Sequence, residues 1–310
     1  MQKIAFMFPG QGAQYVGMGK DLCDKYPEAQ ELLQQADDVL GYKISEIILD
    51  GPEEDLKLTV NTQPAILTVS TICWQLLKNS GVTPDYAAGH SLGEYSALVA
   101  ANCIDYPDAL QLVSKRGKFM EEAIPAGKGA MAAILGLANE KVEEICSRIE
   151  GVVETVNYNC PGQLVIAGEK DKVEAASRLA AAEGAKRVVP LNVSGPFHSS
   201  LMEPAAEKFA YELSKVSFKT PEFPIVANLS AEIAQCPNEI KSGLKGQMHS
   251  PVLWDMSMRK LIALGVDRFV EVGPSKVLSC LIKKIDKNVK VYNVENVESL
   301  EGTLKALKEE

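Results

Sequence analysis

The pentapeptide Gly89-His90-Ser91-Leu92-Gly93 constrains this chain more than any other stretch. It fits G-x-S-x-G, in which a serine sits on a sharp turn between a strand and a helix. The glycines let the backbone bend tightly and leave space beside the serine. The flanks suit that geometry: Tyr86-Ala87-Ala88 reads as a short buried strand, and residues 92–102 are apolar and helix-forming. Ser91 is therefore expected at a helix N-terminus, where unpaired N–H groups and the helix dipole favour developing negative charge. The plain alternative is a small-residue turn with no chemistry. What decides between them is whether the rest of the chain supplies what a serine nucleophile lacks.

The chain has 310 residues, 46% hydrophobic and 24% charged, enough for one large core or two smaller ones. Residues 3–8 form an apolar run, a predicted core strand, followed by a turn at Gly10-Gln11-Gly12. Residues 62–79 are apolar on nearly all sides, with Pro64 suited to a first turn and Gly81 just past the end, which predicts a buried helix. Asp105 is a predicted N-cap, with Pro107 in the first turn of a helix running to about 124. The pattern changes at Pro125-Ala126-Gly127-Lys128-Gly129. Strand 131–135, helix 139–149, strands 152–158 and 164–167, helix 170–182 and strand 187–193 give the order βαββαβ, a ferredoxin-like insert. Helix 199–216, strands 224–228 and 268–272, a helix after Gly273-Pro274 and strand 289–294 complete the chain. The expected fold is α/β: a large hydrolase-like domain with a mostly parallel sheet (1–125 and 195–310), interrupted by a small ferredoxin-like subdomain (126–194).

The net charge of −9 argues against a nucleic-acid binder, which normally carries a basic excess. The first apolar run is too short for a signal-peptide core, and no segment approaches the ~20 apolar residues of a membrane span. Cysteines at 23, 73, 103, 146, 160, 236 and 280 are odd in number and form no C-x-x-C pair. That usage predicts a reducing cytoplasm with free, mostly buried thiols. None of the three histidines pairs with another His or a Cys at ligand spacing, so no metal site is expected.

A serine hydroxyl needs an adjacent base. His90 directly precedes Ser91 and points elsewhere; its expected role is to pack and hydrogen-bond beneath the turn. His198, after Ser194-Gly195-Pro196-Phe197, lies at a loop-to-helix junction from which a side chain can reach across a cleft, and His249 lies in another loop. Arg116 falls on the apolar stripe of its helix (Ala109, Leu112, Val113, Met120, Ala123), and an arginine facing a core must be paired. Two readings are open: an internal salt bridge, or a bidentate clamp on a substrate carboxylate. Gly117, mid-helix, implies that something approaches the backbone closely. Gly10-Gln11-Gly12 fails the dinucleotide spacing because the next glycine is Gly17, and no P-loop is present. That turn could instead offer a backbone N–H to an oxyanion, with the Leu92 N–H as second donor.

Together these residues resemble the malonyl-CoA:acyl carrier protein transacylase family over essentially the whole chain. The resemblance rests on Phe8-Pro9-Gly10-Gln11-Gly12, Gly89-His90-Ser91-Leu92-Gly93-Glu94, Arg116-Gly117, Asn159-Cys160-Pro161-Gly162-Gln163, Phe197-His198-Ser199 and Glu271-Val272-Gly273-Pro274. It implies Ser91 as the acylated nucleophile, His198 as its base, and the Gln11 and Leu92 N–H groups as the oxyanion hole. It also implies Arg116 as the holder of the malonyl carboxylate, and a main-chain carbonyl, matching Gln247, in place of a triad acid. Phe197 resembles the malonyl-selecting members. Ala13 and Pro196 depart from the commoner serine and alanine, and Pro196 is expected to stiffen the loop that carries His198. The implied reaction is a ping-pong transfer from malonyl-CoA to acyl carrier protein in fatty-acid synthesis. It needs no metal or redox cofactor, the CoA thioester being a substrate, and a monomer is expected. An acidic carrier predicts a basic rim, with Lys276, Lys283, Lys284, Lys287, Lys186 and Arg187 as candidates. The rivals are a serine acyl hydrolase or proofreading thioesterase, a non-catalytic carrier-docking module, and an acyltransferase of a polyketide pathway.

Overall fold

In the strand Lys3–Phe8 (β1), alternate side chains enter two different cores: Phe6 and Phe8 join one cluster, Ala5 and Met7 another. A strand apolar on both faces belongs inside a parallel sheet covered on both sides. The computed structural model, which describes residues 3–125, 127–193 and 195–309, has β1 in the middle of such a sheet. Tyr86–Gly89 (β2) lies beside it, and the remaining strands appear in chain order as Gly129–Leu135 (β3), Val153–Cys160 (β4), Gln163–Glu169 (β5), Arg187–Pro190 (β6), Ile225–Val226 (β7), Ile233–Ala234 (β8), Val266–Val272 (β9) and Lys290–Val294 (β10). The larger sheet has the order β10-β9-β1-β2-β7-β8, parallel from β10 to β7, with β8 antiparallel at the edge. This is the expected mostly parallel α/β sheet.

The second sheet is antiparallel, in the order β4-β5-β3-β6. Its chain order, with helices Asn139–Ser147 and Lys170–Ala182 between the strands, is the βαββαβ of the expected ferredoxin-like unit. Period-two alternation again divides the strands. Ala132, Ile134, Leu164 and Ile166 face those two helices, while Met131, Ala133, Val165 and Ala167 pack into the main core. The second sheet is thereby laid against the body that carries Ser91. Ala126 and Ser194, the expected ends of the insert, lie outside the described residues.

Several elements differ from expectation, for physical reasons. The predicted strand 187–193 stops at Pro190, which has no N–H for the ladder. The predicted helix 199–216 is a 3₁₀ turn, Ser200–Met202, followed by a helix, Glu203–Ser214, that starts afresh where Pro204 suits a first turn. Pro64 lies inside the helix Thr59–Asn79 rather than in its first turn, and Glu121 Oε1 accepts the Thr59 N–H at 2.6 Å to anchor the earlier start. Asp105 occupies the N-cap position of Tyr106–Glu122 without capping it; its carboxylate accepts from Lys219 Nζ at 2.7 Å instead. The strand predicted at 224–228 is only Ile225–Val226. Helices Pro27–Leu40, Pro237–Gln247, Trp254–Ala263 and Val297–Glu309, each burying a single stripe, are additions to the elements expected from the sequence. Among the described residues no helix is long and apolar enough to cross a membrane.

The turn after β2 is held by its glycines. A Cβ on Gly89 would lie 1.9 Å from the Gly93 carbonyl, and one on Gly93 would lie 2.0 Å from the Phe8 carbonyl oxygen of β1. The helix Gly93–Ala100 therefore begins in backbone contact with the central strand, and Ser91 is left at the apex with φ 51°. Gly93→Ala is expected to cost about 3 kcal/mol of folding stability, since rigid backbone must move. Urea unfolding should report this as a lower midpoint at an unchanged slope.

Candidate active site

Ser91 is fixed by its own backbone. Its N–H donates to Asn228 Oδ1 at 2.7 Å, and Asn228 Nδ2 donates to the Gly89 carbonyl at 2.6 Å, so one amide straps both sides of the turn. His198 stands opposite, also with positive φ (65°), in a tight turn closed by Ser199 Oγ donating to the Pro196 carbonyl at 2.6 Å. Its Nε2 lies 2.8 Å from Ser91 Oγ and its Nδ1 lies 2.7 Å from the Gln247 carbonyl. A carbonyl can only accept, so the ring proton is on Nδ1 and the Nε2 lone pair faces the serine hydroxyl. Gln247 is the last residue of Pro237–Gln247, where helix carbonyls have no intrahelical partner. A helix end thus supplies the acceptor for the His198 Nδ1 proton.

Arg116 is fully buried, on the expected stripe with Ala109, Leu112, Val113 and Met120. Its Nη1 donates to Gln63 Oε1 at 2.9 Å; its Nη2 donates to Gln247 Oε1 at 2.9 Å and to Ser91 Oγ at 3.1 Å. The Tyr95 ring lies 5.5 Å from its Cζ. Among the described residues its hydrogen-bond acceptors are two amides and a hydroxyl, and no carboxylate, so the internal salt bridge is absent. The close approach implied by Gly117 is the Thr59 carbonyl oxygen, 2.7 Å from where a Cβ would stand.

The Gln11 and Leu92 N–H groups have no acceptor among the described residues, and both residues line the cavity of about 80 Å³ that holds Ser91, His198, Arg116 and Phe197. A second cavity of about 220 Å³, lined by Asn159, Gln163, Val277 and Leu281, shares Gln11, His90, Asn157 and Leu191 with it. His90 lies beneath the turn as expected, its Nε2 2.9 Å from Asn159 Oδ1 and its ring packed on Trp254. His249 lines neither cavity. Among the described residues no cluster of His, Cys, Asp and Glu could hold a metal ion. Five cysteines are buried, and Cys236 and Cys280 are exposed.

Burial, reinforced by the Arg116 charge, pushes the His198 imidazole down to about 3. Burial pushes the Glu94 carboxyl up to about 7, opposed by hydrogen bonds from the Asn228 N–H and Gln247 Nε2 and by the Arg116 charge.

A family model described as an acyl transferase domain matches residues 5–305. A malonyl CoA-acyl carrier protein transacylase of Bacillus subtilis (strain 168) is 50% identical over 313 aligned positions, which cover 100% of this chain and 99% of that protein. The chain belongs to the malonyl CoA-acyl carrier protein transacylase family. Among solved transacylase structures, an acyl carrier protein S-malonyltransferase from Vibrio cholerae superposes with a TM-score of 0.95 at 44% identity, covering 97% of this chain and 100% of its own. A malonyl-transacylase in complex with its type II PKS acyl-carrier protein gives 0.97 at 42%, covering 98% and 100%. The resemblance drawn from the motifs is therefore borne out over the full length.

Three site residues of this transacylase were assigned no role from sequence: Gln63, Asn228 and Glu94. Two carried a signal. Gln63 is an amide, and Glu94 a carboxylate, inside buried runs whose other buried polar side chains are hydroxyls. Asn228 has none, because it reaches the turn through sheet order. In NMR of histidine-labelled protein the His198 ring should stay neutral, protonated on Nδ1, with a titration midpoint nearer 3 than the ordinary 6.5; a midpoint near the ordinary value would contradict this environment.

Proposed function

We propose that this protein transfers the malonyl group of malonyl-CoA to the phosphopantetheine thiol of an acyl carrier protein through a malonyl ester on Ser91, supplying extender units for fatty-acid synthesis. The observation that carries this reading is a buried arginine with no carboxylate of its own, donating to the nucleophile's oxygen. Relatives named as malonyl transacylases, one of them in complex with a carrier protein, support it.

His198 Nε2 takes the Ser91 proton as Oγ attacks the thioester carbonyl, forming a tetrahedral intermediate. Its oxyanion is received by the Gln11 and Leu92 N–H groups. Collapse breaks the C–S bond, and His198 returns the proton to the leaving CoA sulfur. The carrier thiol then gives its proton to His198, attacks the malonyl ester, and restores Ser91 by the reverse route. A malonyl carboxylate replaces neutral partners of Arg116 with charge-assisted hydrogen bonds, which are about twice as strong. A low imidazole basicity suits a ring that must be neutral at the start of each half-reaction.

In this proposal residues 1–125 and 195–310 form the catalytic body and 126–194 the insert, which adds Met131 and Asn157 to the cavity wall. Lys186, Lys276 and Lys284 border grooves next to Gln163, Val277 and Leu281, a basic rim suited to an acidic carrier. Lys283 is less available, since its Nζ donates to the Val289 carbonyl at 2.6 Å. The enzyme acts as a cytoplasmic monomer and draws on no metal or redox cofactor.

Incubation with malonyl-CoA alone should give a stable adduct on Ser91 by intact mass. The adduct should be absent in Ser91→Ala and discharged by holo carrier protein; rapid loss to water without carrier would favour a hydrolase. Arg116→Ala should lower malonyl transfer by about 100-fold more than acetyl transfer, the scale of a lost charge-assisted pair.

A further inference from the structure

Glu94 has no place in the acyl-transfer steps, yet it is buried at the centre of the site, in the first turn of Gly93–Ala100. One of its oxygens, Oε2, accepts from Gln247 Nε2 at 2.7 Å and from the Asn228 N–H at 3.2 Å. Gln247 Nε2 also donates to the Ser91 carbonyl at 3.0 Å, while Gln247 Oε1 accepts from Arg116 Nη2 at 2.9 Å. The two ends of an amide have nearly the same shape, so its neighbours alone decide which way it points. A guanidinium offers only donors, and a Gln247 nitrogen turned toward it would set donor against donor.

We propose that Glu94 is a positioning residue for acyl-group selectivity: by accepting from Gln247 Nε2 it turns the amide oxygen toward Arg116 and so aims the guanidinium at the malonyl site. The inference rests on the transacylase reading above. Glu94 touches neither Ser91 Oγ nor His198; it acts through Gln247, which leads to Arg116, and through the Asn228 N–H, which leads to the Ser91 turn. The Gln247 main-chain carbonyl, which orients His198, belongs to the helix end and does not depend on the side-chain amide. Loss of the Glu94 acceptor should therefore loosen Arg116 more than the serine–histidine pair, because the Asn228 side-chain amide still straps the Ser91 turn. Burial pushes the Glu94 carboxyl up to about 7, and in either protonation state an oxygen can accept from Gln247 Nε2.

The test measures kcat and KM for malonyl-CoA and for acetyl-CoA in wild type, Glu94→Leu and Glu94→Gln, with folding checked by circular dichroism. Glu94→Leu removes the acceptor at similar volume. It should raise the KM for malonyl-CoA and cut the malonyl-to-acetyl ratio of kcat/KM by about tenfold, the scale of one hydrogen bond to a charged group. Glu94→Gln can keep an oxygen facing both donors and should hold the ratio near the wild-type value. Equal losses on both donors in Glu94→Leu, or an unchanged ratio, would overturn the proposal. Should Glu94→Leu not fold, Gln247→Leu breaks the same relay one bond further on, and it too must cost malonyl transfer more than acetyl transfer. Wild-type protein that transfers no malonyl group would instead overturn the transacylase reading itself.

Discussion

A guanidinium removed from water with no carboxylate beside it is the condition around which this site is built. Leaving such a charge unpaired costs several kcal/mol, and the protein offsets that cost with neutral oxygens from Gln63, Gln247 and Ser91 and with the face of Tyr95. Among the described residues the arrangement leaves the guanidinium with neutral acceptors only. It also sets the electrostatics nearby. His198 sits in the field of Arg116 and binds a proton weakly, while Glu94 lies one amide away and is restrained from rising further by the same charge.

The two sheets divide the labour. The parallel sheet supplies rigidity: β1 and β2 end side by side, Gly93 rests on the backbone of β1, and β7 delivers Asn228 to the turn. The antiparallel sheet supplies enclosure, bringing Met131 and Asn157 to the wall of the cavity that Ser91 lines. Ser91 is thereby fixed by contacts within one body, whereas the cavity around it is shared with the second.

What could be read from the sequence was whatever is encoded locally. The turn at Ser91 was legible because Gly89 and Gly93 have a steric reason to be glycine, and the helix Lys170–Ala182 was expected at both ends because its stripe and flanks agree. The position of Arg116 followed from helical spacing alone, though its partners did not. Gln63 and Asn228 arrive through packing and sheet order, over separations that no local pattern records. Asp105 shows the limit of propensity: a good N-cap residue in the right place was claimed by Lys219. The orienting carbonyl of Gln247 was reached through family resemblance, since a backbone oxygen has no letter in the sequence.

That carbonyl carries a consequence for how the site can vary. In a triad with an acidic third member, one substitution removes the group that orients the histidine. Here the orienting oxygen belongs to the main chain at the end of Pro237–Gln247, and any residue at 247 that preserves the helix end supplies it. The orientation of His198 is therefore insulated from a change of side chain at this position. The side chain on the same residue bonds Arg116, Glu94 and the Ser91 carbonyl, so a change of side chain there falls first on the arginine. The ring of His198 and the guanidinium of Arg116 are thus held by different atoms of one residue, and a change of side chain at 247 would separate the two.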